Sequence, residues 1–202
     1  MSQEPDIGNM PIGPAGILAL DPSKTSTGWA YADAEAVDGW PEIAIGKGVG
    51  PHKGVVYGAR SFKDDSYDWW TLRFPRWLAG VLDRYRPVAV YAEEPIFRPQ
   101  RDSKRRCEIM FGGKALIVAT CMHRQITPQW VEPTEIKKHF SGSGMSGKPD
   151  MLAIARGRGW APQNDNVADA LGVLDLAVAR ERAGMRLARR QARIDSAIAA
   201  GR

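Results

Sequence analysis

Residues 17–30 read ILALDPSKTSTGWA and combine an apolar run, an acid and a turn of small residues. Four consecutive apolar residues favour a strand that is covered on both faces of a sheet. Asp21 ends this run at the sheet edge, where ligands usually bind. It is therefore a candidate metal ligand, although an Asp that opens a Pro-Ser-Lys-Thr turn is also ordinary turn chemistry.

Length and composition predict one globular domain. The chain has 202 residues, of which 44% are hydrophobic, and this suits a single core. Its apolar runs are too short to span a bilayer, and the acidic start MSQEPD lacks the features of a signal peptide. A cytosolic protein is expected. Cys107 and Cys121 show no paired spacing and the histidines are scattered, so any metal is expected to be a hard ion held by oxygen.

The net charge of +5 comes from basic residues that fall in clusters. One cluster lies between residues 98 and 106, a second is Lys137 with Lys138, and an Arg series runs from 180 to 193. Such clusters favour binding to a polyanion, because each phosphate that they neutralise releases counterions. For the C-terminal series, a solvated helix face or a disordered tail is the alternative.

The order of elements predicts an α/β fold with a mixed sheet. We expect a flexible arm at 1–15, one globular domain at 16–183 and a basic tail or helix extension at 184–202. Strands are expected at 17–20, 27–32 and 42–49 as an antiparallel meander, then at 88–92 and 126–131. Helices are expected at 67–85, where Pro75 should kink or restart the helix, and at 104–123, 133–140, 148–158 and 166–183. A glycine-rich loop at 141–147 is expected to be flexible and able to close on a substrate.

Acids recur where the later elements begin or end. Glu93 and Glu94 follow the fourth predicted strand, and Asp165 and Asp169 are four residues apart at the start of the last helix. That spacing puts both aspartates on one helical face, opposite a predicted apolar stripe at Val167, Leu171, Leu174 and Val178. Asp165 could simply cap the helix. Carboxylates gathered from separate segments repel unless cations neutralise them, and two hard divalent ions can promote phosphodiester cleavage.

Five motifs together resemble the RuvC-type Holliday junction resolvases of the RNase H-like nuclease superfamily, especially the phage-encoded branch. In chain order they are ILALDPSKTSTGWA, AEEPIF, GGKALIVATCMHR, VEPTEIKKHFSGSG with SGKPDMLAIA, and DNVADALGVLDLA, and they span 16–179. The resemblance implies an RNase H-like mixed five-stranded sheet, with three antiparallel and then parallel strands, flanked by helices. It also implies a crossover junction endodeoxyribonuclease that uses two Mg²⁺ ions, with Mn²⁺ able to substitute.

The resemblance implies four catalytic, metal-binding carboxylates: Asp21, Glu94, Asp169 and Asp165. Glu93 competes with Glu94, because neighbours on a strand point to opposite faces and only one of the two should enter the site. Where the bacterial pattern has an Asp three residues before Asp169, this chain has Asn166. Either Asp165 or Asn166 therefore completes the metal site.

The resemblance also implies residues that contact DNA. Phe97 resembles an aromatic that stacks on a base, and Lys137 and the catalytic Lys148 resemble two cations near the scissile phosphate. The alternatives are a core-capping Phe and two exposed lysines. The basic cluster beside Phe97 supplies the other expected DNA contacts: Arg98, Arg101, Lys104 and Arg105.

The expected partner is branched DNA, in particular a four-way junction. The resemblance implies a homodimer that cuts symmetric strands. The expected location is the cytoplasm, which is that of the host if the protein is phage-encoded. The predicted interface is the helix at 104–123, through Met110, Ile117 and Val118. No membrane or small-molecule cofactor is expected.

Alternatives are a related nuclease for flaps, forks or RNA–DNA hybrids, and a non-catalytic nucleic-acid-binding member of the fold. The Asp-x-x-x-Thr-x-x-Gly pattern at 21–28 also occurs in sugar kinases, but 202 residues leave no room for their second domain.

Overall fold

The computed structural model describes residues 16–40 and 53–199, with side chains up to residue 184. Five strands are present: β1 Ile17–Asp21, β2 Ser26–Ala32, β3 Val55–Ser61, β4 Ala89–Glu93 and β5 Gln129–Val131. They form one sheet in the order β3-β2-β1-β4-β5. β2 is antiparallel to β1 and β3, whereas β4 is parallel to β1 and β5. The predicted mixed five-stranded sheet is confirmed.

Helices cover both faces of the sheet. They are α1 Ala34–Asp38, α2 Tyr67–Tyr85, α3 Lys104–Met122, α4 Pro133–Ser141, α5 Lys148–Gly157 and α6 Asp165–Ala199. One core lies between the sheet and α2 with α3, and the other lies between the sheet and α6, behind which α4 and α5 pack. No helix among the described residues is both long and apolar enough to cross a membrane.

Strand alternation decides which residues face each core. Ile17 and Ala19 of β1 belong to the α6 core, whereas Leu18 and Leu20 belong to the core under α2 and α3. Tyr91 of β4 likewise lies in the α6 core. Because side chains on a strand alternate with period two, Asp21 and the last residue of β4 leave the sheet on the α6 side.

The third strand differs from the prediction. The strand expected at 42–49 lies outside the described residues, and β3 at Val55–Ser61 is the strand that pairs with β2, from Ser26 opposite Ser61 to Ala32 opposite Val55. β3 is an edge strand with one fully buried residue, so its sequence carries little apolar alternation. The chain enters it through Gly54 at φ +86°, a conformation that glycine adopts without steric cost.

Two helices also differ from expectation. α2 continues through Pro75 as one helix and does not restart there. α6 was predicted to have one apolar stripe, but it is buried on nearly every side from Val167 to Val178, because it lies between the sheet and α4 with α5. Even Asp175 is buried there, where it accepts hydrogen bonds from Arg158 at 2.6 Å and from the Trp40 indole at 2.9 Å.

Candidate metal centre and nucleic-acid cleft

Asp21 and Glu93 end two neighbouring parallel strands. Leu20 of β1 pairs with Ala92 of β4, and the next residue on each strand is an acid. Both acids leave the sheet on the side of α6 because of strand alternation. The negative charge of Glu93 contributes to raising the pKa of Asp21, after the larger effect of burial. These two carboxylates are therefore close neighbours in one site.

Gly28 brings the start of α6 against these acids. Gly28 pairs with Asp21 across β1 and β2, and a Cβ atom on Gly28 would lie 1.9 Å from the backbone oxygen of Asn166. Any side chain at this position would push α6 away. The Oδ1 atom of Asn164 accepts from the Val167 N–H at 3.0 Å and caps the helix, so that Asp169 lies one turn inside it.

The three carboxylates retain protons more strongly than isolated acids do. Burial and the charges of Glu93 and Asp169 raise the pKa of Asp21 well above its usual value. Burial and the charge of Asp169 raise the pKa of Glu93 to about 7. Burial raises the pKa of Asp169 to about 6. Burial is the largest cause of each shift and the charges of neighbouring acids add to it, so a bound cation would stabilise the charged carboxylates.

Two lysines supply part of the missing charge. Lys137 of α4 and Lys148 of α5 each lower the pKa of Glu93 and of Asp169, against the larger effect of burial. The Lys148 ammonium also forms an ion pair with Asp165. Hydrogen bonding to Lys148 lowers the pKa of Asp165, and the same bond raises the pKa of Lys148. Asp165 therefore lies at the margin of the cluster, paired with a cation.

Glu94 lies apart from this cluster. Its Oε1 atom accepts a hydrogen bond from the Lys114 ammonium at 2.5 Å, and that ammonium lies 4.5 Å from the centroid of the Trp130 ring. The structure thus brings Glu93, rather than the predicted Glu94, beside Asp21 and Asp169. Motif matching favoured Glu94, but strand alternation counted from Tyr91 gives Glu93.

The donor chemistry of the cluster suits hard cations. Within residues 16–40 and 53–184, no group of three or more His, Cys, Asp or Glu side chains is already arranged to hold a metal ion. The carboxylates of Asp21, Glu93 and Asp169 nevertheless offer only oxygen ligands, which Mg²⁺ prefers, and a bound cation would favour their charged forms, which burial disfavours.

A cavity of about 640 Å³ opens at this edge of the sheet, and the carboxylates line one end of it. Of the predicted DNA contacts, four line the cavity: Arg98, Arg105, Lys137 and Lys148. Arg101 and Lys104 are exposed beside it, and the Phe97 side chain is 49% exposed. About half of the Phe97 side chain is therefore accessible to a base, as the predicted stacking role requires.

Three residues that line the cavity were not among the predicted site residues: Lys24, Lys114 and Trp130. Lys24 donates to the backbone oxygen of Asp65 at 2.6 Å and fixes the turn after Asp21. The Lys114 ammonium of α3 lies over the Trp130 ring of β5, a tertiary contact that periodicity does not reveal. The prediction that Ile117 lies in the dimer interface is wrong, because its side chain is fully buried in the core under α2 and α3.

Solved structures share this fold. The sequence matches no protein-family model and none of the curated proteins. The chain is similar to RuvC of Thermus thermophilus, with 20% identity, a TM-score of 0.61 and coverage of 84% of this chain and 96% of that one. The same RuvC in complex with a Holliday junction substrate gives 19% identity, a TM-score of 0.64 and the same coverage. The yeast mitochondrial Holliday junction resolvase gives 10% identity, a TM-score of 0.53 and coverage of 84% and 80%. The fold is thus the RNase H-like fold of the RuvC-type resolvases.

Proposed function

We propose that the protein is a metal-dependent endonuclease that resolves Holliday junctions or related branched DNA by phosphodiester hydrolysis. One observation carries the proposal: three carboxylates with raised pKa values share a cavity with a rim of cations. Acids short of positive charge suit metal ions, and the cationic rim suits a phosphate backbone. The fold likeness to RuvC, solved with a junction substrate, supports the choice of branched DNA.

Asp21, Glu93 and Asp169 would hold the metal, with Mg²⁺ as the proposed ion and two ions as the proposed number. Glu93 takes the place first assigned to Glu94, since Glu94 is bonded to Lys114. Asp165 lies next to the cluster and would join it only after releasing Lys148. When bound, such ions activate a water molecule and stabilise the leaving oxygen.

The lysines and arginines of the cavity position the DNA strand. Lys148 and Lys137 lie beside the carboxylates, where a cation offsets charge that develops on the scissile phosphate. Arg98 and Arg105 line the same cavity further out and would bind neighbouring phosphates. Phe97 offers an exposed ring on which an unpaired base can stack.

Paired nicks on symmetric strands would require two sites, and we propose a homodimer. The support is the outer surface of α3, where Phe111 is 46% exposed and Met122 is 51% exposed. Large exposed apolar side chains on one helix suit an isologous contact with a second copy. These two residues replace the buried Ile117 in the proposed interface.

Cleavage of synthetic DNA tests the proposal. Labelled four-way, three-way and linear duplexes of matched sequence would be incubated with and without Mg²⁺, using wild type and Asp21→Asn. We expect Mg²⁺-dependent nicking of four-way junctions by wild type and none by Asp21→Asn. Equal cutting of linear duplex would overturn the branched-DNA proposal, and full activity of Asp21→Asn would overturn the metal-site assignment.

A further inference from the structure

The cavity extends well beyond the carboxylates. Its volume of about 640 Å³ is that of a pocket for an organic ligand. Away from the acids, it is lined by half-buried apolar and aromatic side chains from α3 and β5: Ile109, Met110 and Trp130. A phosphodiester and its metal ions are polar throughout, so they do not account for this apolar end. The apolar end suits a flat, weakly polar ring.

A pair of charged side chains stands at the boundary between the two ends. Glu94 follows β4, Lys114 comes from α3, and their side chains are 30% and 32% exposed. The Lys114 ammonium lies over the indole of Trp130, 4.5 Å from the ring centroid. Side chains from three separate elements therefore meet at one ion pair, which lies against the Trp130 ring.

This pair can still bind a ligand. An ammonium group has three donors and a carboxylate has two acceptor oxygens, and the bond between Lys114 Nζ and Glu94 Oε1 uses one of each. The pair can therefore offer a donor and an acceptor side by side. A nucleobase edge presents an acceptor next to a donor and forms the complementary pattern.

We infer that this apolar end, with Trp130, Lys114 and Glu94, binds a single unpaired nucleobase next to the phosphate that is cut. The ring would pack against Trp130 and the apolar floor, while Lys114 and Glu94 would bond its free Watson–Crick edge. A base in a continuous duplex has that edge occupied, whereas a base at a branch point is unpaired at lower cost. The inference rests on the proposed nuclease function and adds that Lys114 and Glu94 make cleavage sensitive to the base.

The arginines at the edge of the cavity support a DNA strand that bends toward the apolar end of the cavity. Arg105 lies 4.5 Å over the Tyr67 ring, and Arg106 is bonded to Asp102 at 2.8 Å. Both arginines line the cavity and lie on the first turn of α3, more than two turns before Lys114. A phosphate bound at this rim would hold the strand at the cavity that Trp130 also lines.

The test is a four-way junction library in which the bases around the branch point are randomised, with cut ends read by sequencing. Wild type, Lys114→Met and Trp130→Leu would be compared with Lys63→Met, which removes an exposed lysine outside the cavity. We expect wild type to prefer one base at one position near the nick by about tenfold, the scale of one stacked base. Lys114→Met and Trp130→Leu should flatten this preference while still nicking, and Lys63→Met should keep it.

A second measurement leaves the protein unchanged. An abasic nucleotide at the preferred position should slow cleavage by wild type about tenfold, and by Lys114→Met much less. The inference is overturned if wild type cuts all sequences equally, or if both cavity variants keep the wild-type preference. It is distinguishable from failure of the proposed function, in which wild type would cut no member of the library.

Discussion

Glu93 and Asp21 lie side by side at the ends of two parallel strands, and the charge of Glu93 helps to raise the pKa of Asp21. The relationship follows from the register of β1 and β4, which places the two acids at the same edge and on the same face of the sheet. Asp169 joins them because Gly28 lets α6 pack directly on β2. Three distant segments of sequence thereby form one acidic site.

The pH dependence of stability should report on Glu93. Its pKa in the folded protein is about 7, above the usual 4.5. The folded state therefore holds this proton more tightly than the unfolded state, and the stabilisation is full below the usual pKa and lost as pH rises through about 7. Without Mg²⁺, the free energy of unfolding of wild type should fall relative to Glu93→Gln by roughly 1–3 kcal/mol between about pH 5 and pH 8. Urea denaturation at each pH measures this, and parallel pH curves for the two proteins would contradict it.

Lys148 should act on the rate of cleavage more than on DNA affinity. It lies among Asp165, Asp169 and Asp21, where its charge would offset the charge of the transition state. Lys148→Met should slow single-turnover nicking roughly 100-fold and change junction affinity little. Lys138→Met, an exposed neighbour of Lys137 on α4, is the control and should leave the rate unchanged. A large loss of affinity with a normal rate would assign Lys148 to binding alone.

Asp165 should matter less than Asp169. Asp165 is paired with Lys148, whereas Asp169 lies deeper and shares the site with Glu93. Asp169→Asn should abolish Mg²⁺-dependent nicking, while Asp165→Asn should retain a measurable rate, reduced because Lys148 loses its partner. Equal loss in both variants would instead make Asp165 a full member of the metal site.

Salt dependence should identify phosphate contacts. Arg98 lines the cavity, whereas Arg76 is exposed on α2 outside it. In plots of log affinity against log salt concentration, Arg98→Ala should reduce the slope by about one, the value for one phosphate contact. Arg76→Ala should leave the slope unchanged. Equal slopes for both variants and wild type would exclude Arg98 as a phosphate contact.

The ion pair of Asp175 with Arg158 should stabilise the fold without serving the site. Both side chains are at most 4% exposed, so Asp175→Asn would leave a buried guanidinium without its counter-ion. The free energy of unfolding should fall by about 3–5 kcal/mol. Asp83→Asn, which breaks a surface pair with Arg124, should cost less than about 1 kcal/mol. Chemical denaturation compares the two, and similar losses would contradict this role.

The sequence predicted the elements that carry strong periodicity. β1, β2 and β4 are buried apolar runs, and α2 to α5 have clear starts, so their positions agree with the structure to within a few residues. β3 escaped prediction because an edge strand needs little apolar alternation. α6 is buried on nearly every side because α4 and α5 pack against it. The sequence pattern of α6 itself does not show these neighbours.

The candidate site was predicted in part. Asp21 and Asp169 were recognised as acids at the ends of buried segments, and the structure brings them together. The choice between Glu93 and Glu94 depended on strand register, which local sequence does not fix. Lys114 and Trp130 belong to the site through the contact of the Lys114 ammonium with the Trp130 ring, which only the tertiary structure reveals.

The most direct test of the account compares two adjacent acids. Single-turnover nicking of a four-way junction in Mg²⁺ would be measured for wild type, Glu93→Gln and Glu94→Gln, with equal folding of all three checked by circular dichroism. The account predicts that Glu93→Gln loses at least about 1,000-fold in rate, while Glu94→Gln stays within about tenfold of wild type. The reverse order, with Glu94→Gln inactive and Glu93→Gln active, would contradict it.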